Sequence, residues 1–144
     1  MSEGRILVVD DNEPMLARIR ATLSAVGYEV VTSSQPVGNA RHLKSCDLVI
    51  LDFHMPGIDG GEVLASMRAA TAASETTCLF YLYTSDERLA DDFARLGFDG
   101  SFTHKGDEKA LVPQVKAVFR LLKLRALGAR GKGPPSSRSK LPGS

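Results

Sequence analysis

Two patterns of apolar residues alternate along the chain. Short continuous apolar runs are typical of buried β-strands, and apolar residues spaced three or four positions apart are typical of amphipathic helices. The first pattern predicts five strands, at residues 6–9, 28–32, 48–51, 77–83 and 98–102. The second pattern predicts helices at about residues 12–26, 35–44, from 59 onward, 86–96 and 107–127.

The ends of these helices carry their own signals. Asn12 is a candidate N-cap for the first helix, and Gly27 is its expected stop. Pro36 and Gly38 interrupt the second helix, which we therefore expect to be weak. Pro113 is expected to kink the last helix or to delay its start, because proline lacks a backbone N–H.

Strands that alternate with helices indicate parallel βα units. The strands lack polar alternation, as expected where helices cover both faces of a sheet. In open sheets of this kind, ligands bind outside the carboxyl ends of the strands. Polar residues able to do chemistry follow four of the five predicted strands: Asp10 and Asp11, Asp52, Thr84, and Lys105.

These polar residues have a chemistry in common. Three carboxylates brought together without a cation would repel one another, and carboxylate oxygens suit Mg²⁺. A hydroxyl and an ammonium beside them would bind an anion, so the set has the groups needed for phosphoryl transfer. Each of these residues, taken singly, also has a purely structural explanation. Asp11 or Asn12 could merely cap the first helix, Asp52 could begin a turn, Thr84 could be an N-cap, and Lys105 could be an ordinary solvated lysine.

Length and charge exclude several classes of protein. The 144 residues, 43% hydrophobic and 24% charged, suffice for one domain with its own core. Eighteen Lys and Arg against 17 Asp and Glu give a net charge of +1, which indicates neither a nucleic acid nor a membrane surface as partner. No apolar run is long enough for a membrane span, and the N-terminus does not resemble a signal peptide, so we expect a cytoplasmic protein.

The charge is unevenly distributed. Residues 126–144 contain four basic residues and no acidic one, and the end of the chain is rich in Gly, Pro and Ser. Such a segment buries too little apolar surface to offset its chain entropy. We therefore predict a folded domain over residues 1–127 and a disordered basic tail over residues 128–144.

The spacing of the cysteines and histidines predicts neither a disulfide framework nor a metal site. Cys46 and Cys78 stand 32 positions apart without a CxxC motif, which indicates neither a disulfide framework nor a zinc site. We expect both to be small buried residues. His42, His54 and His104 form no cluster at ligand spacing, so we expect ordinary loop or surface histidines. His54 differs in that its side chain should overhang the crevice beyond the third strand.

Four segments carry a likeness to a known family. They are Ile-Leu-Val-Val-Asp-Asp-Asn at 6–12, Leu-Val-Ile-Leu-Asp-Phe-His-Met-Pro-Gly-Ile-Asp-Gly at 48–60, Thr-Ser at 84–85 and Ser-Phe-Thr-His-Lys at 101–105. Together they resemble the response-regulator receiver domain of bacterial two-component signalling, over about residues 4–125. The resemblance implies a flavodoxin-like (βα)5 fold with a doubly wound, five-stranded parallel sheet in the order 2-1-3-4-5.

The resemblance also implies roles at the carboxyl edge. Asp52 is implied to be the phosphoacceptor, and a carboxylate is a reasonable nucleophile where a metal orients both partners. Asp10 and Asp11 resemble the acidic pair that holds Mg²⁺. The backbone carbonyl of His54 stands where the family completes the protein ligands of that ion.

Two residues after later strands have implied roles in signalling. Thr84 and Lys105 are expected to bind phosphoryl oxygens. Phe102 stands where the family has an aromatic switch, which turns inward when the threonine is drawn to the phosphoryl group. The face of the fourth helix, fifth strand and last helix would then differ between the two states.

Some positions depart from the family pattern. Gly106 follows Lys105 where the family usually has proline, often with a cis peptide, and this loosens the loop that presents the lysine. Gly61 replaces an apolar residue that is common after the Asp-Gly pair. The weak second helix indicates that partners using that surface differ.

The function implied is a phosphoacceptor receiver that signals by binding partners, not an enzyme with turnover. Its expected phosphodonor is a sensor histidine kinase or a phosphotransfer protein, and its target is an unidentified protein or a second phosphorylated copy. No helix-turn-helix follows, so we expect no direct DNA binding. The alternative is a receiver-fold scaffold that acts without phosphorylation. A phosphohydrolase is disfavoured because His54 stands where such chemistry usually has an acid, and a flavin binder because the first loop is acidic and no GxGxxG occurs.

Overall fold

The computed structural model describes residues 3–35, 38–52, 60–73 and 77–131. The chain divides into two compact units, Met1–Gln114 and Val115–Ser144. The first unit contains a five-stranded sheet that holds every described candidate site residue. Its strands are β1 (Arg5–Val9), β2 (Glu29–Ser33), β3 (Leu48–Leu51), β4 (Leu79–Tyr83) and β5 (Gly100–Phe102).

The sheet is entirely parallel and has the order β2-β1-β3-β4-β5. On β1, Leu7 is in register with Val31 of β2 on one side and with Val49 of β3 on the other. Parallel neighbours need a crossover connection, and the helices between the strands supply it. The α/β class and the strand order implied by the sequence are confirmed.

Six helices follow the strands in the described part of the chain. They are α1 (Glu13–Ala25), α2 (Ala40–Leu43), α3 (Gly60–Ala73), α4 (Glu87–Asp91), α5 (Phe93–Leu96) and α6 (Glu108–Gly131). The second helix is short, as its sequence predicts, although Pro36 lies outside the described residues. The single helix predicted at residues 86–96 is instead two helices, α4 and α5.

The break between α4 and α5 falls at Asp92. Its backbone N–H donates to the carbonyls of both Arg88 and Leu89, a shared hydrogen bond typical of helix ends. Aspartate is also a poor residue for a helix interior, because its side chain competes for backbone partners. Gly97 then ends α5 with φ 99°, in the left-handed region that glycine adopts without strain.

The strands form the centre of the core. All four residues of β3 are buried, and so are four of the five residues of β1. Fully buried side chains of this kind are expected in strands covered by helices on both faces. One apolar cluster combines alternate residues of β1, β3 and β4 with side chains of α3, among them Val49, Leu64, Met67 and Phe80. This packing holds the carboxyl ends of the strands in fixed relation.

The last helix begins within one residue of its predicted start and extends beyond its predicted end. Pro113 does not delay its start, because the helix begins at Glu108 and continues through the proline. It ends at Gly131 rather than near Leu127, since an internal Gly128 costs a helix only about 1 kcal/mol. Residues 132–144 of the predicted tail lie outside the described residues. In the second unit, the side chains of Leu121, Leu124 and Leu127 are exposed.

Across the described residues, no helix combines the length and apolar character that crossing a membrane would require.

Candidate functional site

The carboxyl ends of β1 and β3 place two aspartates side by side. Asp10 follows β1 directly, and Asp52 follows β3 directly. The Asp52 N–H donates to the carbonyl of Val9 over 2.9 Å, which joins the two strand ends at the point where their aspartates emerge. Both residues are buried, with 3% of Asp10 and 5% of Asp52 exposed. Burial of two charged groups without compensation is costly, so their partners matter.

A third carboxylate completes an acidic cluster. Oxygens of Asp10, Asp11 and Asp52 all lie within 4.8 Å of one another, and Asp11 is the exposed member. Oxygen atoms at such spacing suit a hard divalent cation, which the carboxylates can share with water. His54, whose carbonyl is expected to contribute, lies outside the described residues.

Lys105 supplies the positive charge at this cluster. Its Nζ lies 2.9 Å from Oδ2 of Asp10 and 2.9 Å from Oδ1 of Asp52, and its side chain is only 16% exposed. Burial by itself would lower the pKa of Lys105, but the hydrogen bonds to Asp52 and Asp10 outweigh it and raise the pKa. Burial also raises the pKa of Asp10, against the opposing effect of its hydrogen bonds. Lys105 is therefore not an ordinary solvated lysine.

Polar residues of the loop after β1 have two roles: one caps α1, and others form the acidic cluster. The Asn12 side chain accepts a hydrogen bond from the Met15 N–H over 3.0 Å and so caps α1. The Asn12 N–H in turn donates to Oδ1 of Asp10 over 2.9 Å, which orients that carboxylate. Because Asn12 is the N-cap, the carboxylate of Asp11 is left to the acidic cluster.

Thr84 follows β4 directly and is buried, with 5% exposed. Its Oγ1 accepts a hydrogen bond from the Asp86 N–H over 3.0 Å. Asp86, not Thr84, is the N-cap of α4, since its Oδ1 accepts from the N–H groups of Arg88 and Leu89. A hydroxyl that accepts through its oxygen still has its own hydrogen to donate to an anion.

Phe102 ends β5 beside Thr84. The Thr84 N–H and the Phe102 carbonyl are 3.5 Å apart, and the Phe102 ring is buried. The ring stacks on Tyr81 at a centroid distance of 4.6 Å and an angle of 26°. Gly100 makes this stack possible, because a Cβ at that position would clash with the Tyr81 ring. The Phe102 side chain is thus buried and is not turned out to solvent.

The loop that presents Lys105 is held by a residue that the sequence did not single out. Oε1 of Gln114 accepts from the Thr103 N–H over 3.0 Å, and Nε2 of Gln114 donates to the Thr103 carbonyl over 3.1 Å. His104, next along, is exposed and has φ 62°, a left-handed conformation unusual for a residue with a Cβ. The only sequence clue to Gln114 is a lone amide within an apolar stretch of helix.

The structure thus brings together four of the predicted site residues, and Thr84 and Phe102 adjoin each other at the ends of the neighbouring strands. Asp10, Asp11, Asp52 and Lys105 are in contact or within a few ångströms. Nζ of Lys105 also lies 6.0 Å from the centre of the Tyr83 ring, directly before Thr84 in β4. Burial raises the pKa of Tyr83 to about 12, so its ring stays neutral beside the lysine.

Comparison with known proteins identifies relatives of two kinds. The virulence sensor protein BvgS of Bordetella bronchiseptica is 37% identical over 92 residues, which are 59% of this chain and 7% of BvgS. The transcriptional regulatory protein PrrA of Mycobacterium tuberculosis is 32% identical over 125 residues, which are 83% of this chain and 52% of PrrA. The chain therefore spans about half or less of the length of these curated relatives.

A solved structure agrees with the fold. The response regulator protein TrrA of Thermotoga maritima, solved in complex with Mg²⁺ and BeF, is 29% identical and superposes with a TM-score of 0.63. The match covers 81% of this chain and 98% of that one. The family model described as response regulator receiver domain matches residues 6–116. The sheet has the strand order of that family, and the acidic cluster lies at the carboxyl ends of its strands. The chain therefore belongs to the response regulator receiver domain family of two-component systems.

Proposed function

We propose that this receiver accepts a phosphoryl group on Asp52 in the presence of Mg²⁺ and signals through the state that results. The observation that carries the proposal is the position of Asp52. Its carboxylate lies within the three-aspartate cluster and is also paired with Lys105 over 2.9 Å. A nucleophile between a cation site and an ammonium is placed where the charge of a phosphoryl group would be neutralised.

The residues present fit a magnesium ion. Asp10, Asp11 and Asp52 offer carboxylate oxygens within 4.8 Å of one another, and Mg²⁺ typically uses few carboxylates together with water and phosphoryl oxygens. A bound ion would supply positive charge that offsets the negative charge of the transferred group. TrrA, solved with Mg²⁺ and BeF, supports the assignment as a relative of this chain. The carbonyl of His54 is proposed as a further ligand.

The covalent step uses protein groups at the carboxyl ends of the strands, together with Mg²⁺ and a phosphodonor. A carboxylate oxygen of Asp52 forms a bond to phosphorus while the bond from phosphorus to the donor breaks. With a histidine donor the imidazole nitrogen leaves, and with acetyl phosphate the leaving group is acetate. Lys105 pairs with Asp52 before the reaction and is placed to pair with a phosphoryl oxygen after it. Thr84 donates its hydroxyl hydrogen to another oxygen of the same group.

The output is proposed to follow from Thr84 and Phe102. Movement of Thr84 toward the phosphoryl group would pull on the backbone beside Phe102, because the two residues adjoin across β4 and β5. The proposed location of the chain is the cytoplasm. Its proposed partners are a sensor histidine kinase or phosphotransfer protein and an unidentified downstream protein. BvgS, a sensor protein, and PrrA, a transcriptional regulatory protein, support this kind of pathway as relatives only.

Intact mass spectrometry tests the proposal directly. Incubation with acetyl phosphate and Mg²⁺ should add one phosphoryl group, about 80 Da, to the wild-type chain. Asp52→Asn should remain unmodified, because an amide is not a competent nucleophile. Omission of Mg²⁺ should abolish the gain in mass. Equal labelling of wild type and Asp52→Asn would overturn the assignment. No labelling of either, with partner binding retained, would favour the scaffold that acts without phosphorylation.

A further inference from the structure

Two cysteines lie at the amino ends of the neighbouring strands β3 and β4. Asp52, the proposed phosphoacceptor, lies at the opposite, carboxyl ends of the strands. Cys46 and Cys78 lie just before the first residues of β3 and β4, while Asp52 and Thr84 follow the last residues of the same strands. Leu48 and Leu79 are in register, and the Leu79 N–H donates to the Asp47 carbonyl over 3.1 Å. The pairing of β3 with β4 therefore continues up to the two cysteines.

The two side chains lie in one apolar region on the α3 side of the sheet. Cys46 is a buried member of the apolar cluster, and Cys78 packs against that cluster. Sγ of Cys46 is also 3.2 Å from the carbonyl of Leu48, which holds it at the start of β3. Each cysteine directly precedes one partner of the hydrogen bond between Asp47 and Leu79, so the two cysteines flank a close contact between neighbouring backbones, as a disulfide requires.

The two cysteines differ in access. Cys46 is 2% exposed, whereas Cys78 is partly exposed. An oxidant from solution therefore reaches Cys78 first. The buried Cys46 is then placed to react with the oxidised Cys78 sulfur. This arrangement of an accessible thiol backed by a second, buried thiol is what intramolecular disulfide formation requires.

We propose that Cys46 and Cys78 form a redox modification site, which closes to an intramolecular disulfide by exchange with a low-molecular-weight disulfide. The Cys78 thiolate attacks one sulfur of the small disulfide, forming a mixed disulfide and releasing one small thiol. The Cys46 thiolate then attacks the Cys78 sulfur and releases the second small thiol. The protein loses two hydrogens as protons, and its two electrons reduce the small disulfide to two thiols.

The neighbouring Cys46 side chain and burial both raise the pKa of the Cys78 thiol, which is the attacking group of the first step. The first step is therefore the slow one, and the rate of closure should rise with pH. The site goes beyond the proposed phosphoacceptor function and does not depend on it.

The disulfide would have a structural consequence. It would tie the amino ends of β3 and β4 and close a loop that contains α3. A bond closing a loop of this length restricts the unfolded chain and so stabilises the folded one. Since the tie lies at the opposite edge of the sheet from Asp52, oxidation and phosphorylation can be measured independently.

The test uses the full chain and oxidised glutathione as the oxidant. After incubation, the chain is denatured without reductant, treated with iodoacetamide and weighed intact. The expected product carries neither carbamidomethyl nor glutathione groups and is about 2 Da lighter than the reduced chain. Trypsin cuts after Lys44, Arg68 and Arg88, so the cysteines fall on separate peptides, 45–68 and 69–88. These two peptides should be recovered joined, and a reductant should separate them. The melting temperature of the oxidised chain should be higher.

Single variants provide the matched controls. Cys46→Ala keeps the accessible thiol and should stop at a glutathione adduct on Cys78. Cys78→Ser should react little, because the remaining thiol is buried. The wild-type peptide map does not depend on either variant folding. Two alkylated thiols after oxidation, a persistent glutathione adduct on wild-type Cys78, or a disulfide between two chains would each overturn the proposal.

Discussion

The Lys105 ammonium lies 2.9 Å from Oδ1 of Asp52, and the same nitrogen is equally close to Oδ2 of Asp10. One cation therefore neutralises two buried carboxylates that come from different strands. The pairing makes the lysine part of the site before any phosphoryl group is present. Under the proposed function, Lys105 would exchange one of these partners for a phosphoryl oxygen.

Removal of the Lys105 charge should slow phosphorylation. Lys105→Met keeps most of the aliphatic chain but leaves no cation to pair with the phosphoryl oxygens. We expect the rate with acetyl phosphate to fall about 100-fold, the usual scale for loss of one group that stabilises developing charge. Lys109→Met, at an exposed position in the first turns of α6, is the control and should react at the wild-type rate. Equal rates for both variants would remove Lys105 from the mechanism.

Metal affinity should depend on Asp11. Asp11→Asn removes one negative charge from a cluster of three carboxylates. We expect Mg²⁺ to bind at least about 10-fold more weakly, because even supporting residues of metal sites have effects of this size. Titration followed by NMR shifts of residues 10–12 and 52 measures the change. Asp91→Asn, an exposed aspartate of α4, should bind Mg²⁺ as tightly as wild type. Unchanged affinity in Asp11→Asn would mean that the metal is held elsewhere.

The switch should be visible on one face of the first unit. A beryllofluoride complex, which mimics the phosphoryl group on Asp52, should shift the amide resonances of residues 84–92 and 98–112 more than those of residues 15–35. The reason is that Thr84 and Phe102 adjoin across β4 and β5. In Thr84→Ala the shifts at residues 98–112 should shrink. Shifts confined to the residues around Asp52 would support the scaffold instead.

Gln114 should position the loop that carries Lys105. Gln114→Met has nearly the same length but loses the hydrogen bonds to both the N–H and the carbonyl of Thr103. We expect a loss of about 1–3 kcal/mol in the free energy of unfolding, measured with urea, because the backbone groups of Thr103 lose their partners. Amide exchange at residues 103–106 should speed up more than at β1. A drop in phosphorylation rate with unchanged Mg²⁺ affinity would mark Gln114 as a positioning residue, and protected amides in the variant would contradict the role.

Gly100 should be required for the stack of Tyr81 on Phe102. In Gly100→Ala the new methyl group clashes with the Tyr81 ring, so we expect a loss of about 1–3 kcal/mol in stability from overpacking. A double-mutant cycle with Tyr81→Leu tests the cause, because the smaller side chain leaves room for the methyl group. The cost of Gly100→Ala should be clearly smaller in that background. An identical cost in both backgrounds would place the strain elsewhere.

The alternation of apolar runs and helical periods was sufficient to predict the α/β class. A strand buried on both faces has no polar positions, and residues 48–51 are all apolar and all buried. The same logic placed Asp10 and Asp52 at one edge, because parallel strands end on the same side of a sheet. The motifs of residues 6–12 and 48–60 then implied the family and the strand order.

Other features depended on contacts that no local pattern encodes. The break at Asp92 arises from shared hydrogen bonds at a helix end, and helical periodicity runs through such a break unchanged. The hydrogen bond between the Thr103 N–H and Gln114 joins the loop after β5 to helix α6. Neither residue has a local sequence pattern that would indicate this contact. The bond from Lys105 to Asp10, in addition to Asp52, depends on the conformation of a glycine-containing loop.

Cys46 and Cys78 show the difference most clearly. The sequence predicted one strand shortly after Cys46 and another that includes Cys78. Their 32-residue separation indicated two unrelated buried thiols. Only the register of β3 against β4 decided that they lie at the amino ends of neighbouring strands, because Leu48 pairs with Leu79 and the cysteines precede that pair. Strand pairing is set by the packing of the whole sheet against its helices, and that packing is a property of the tertiary structure alone.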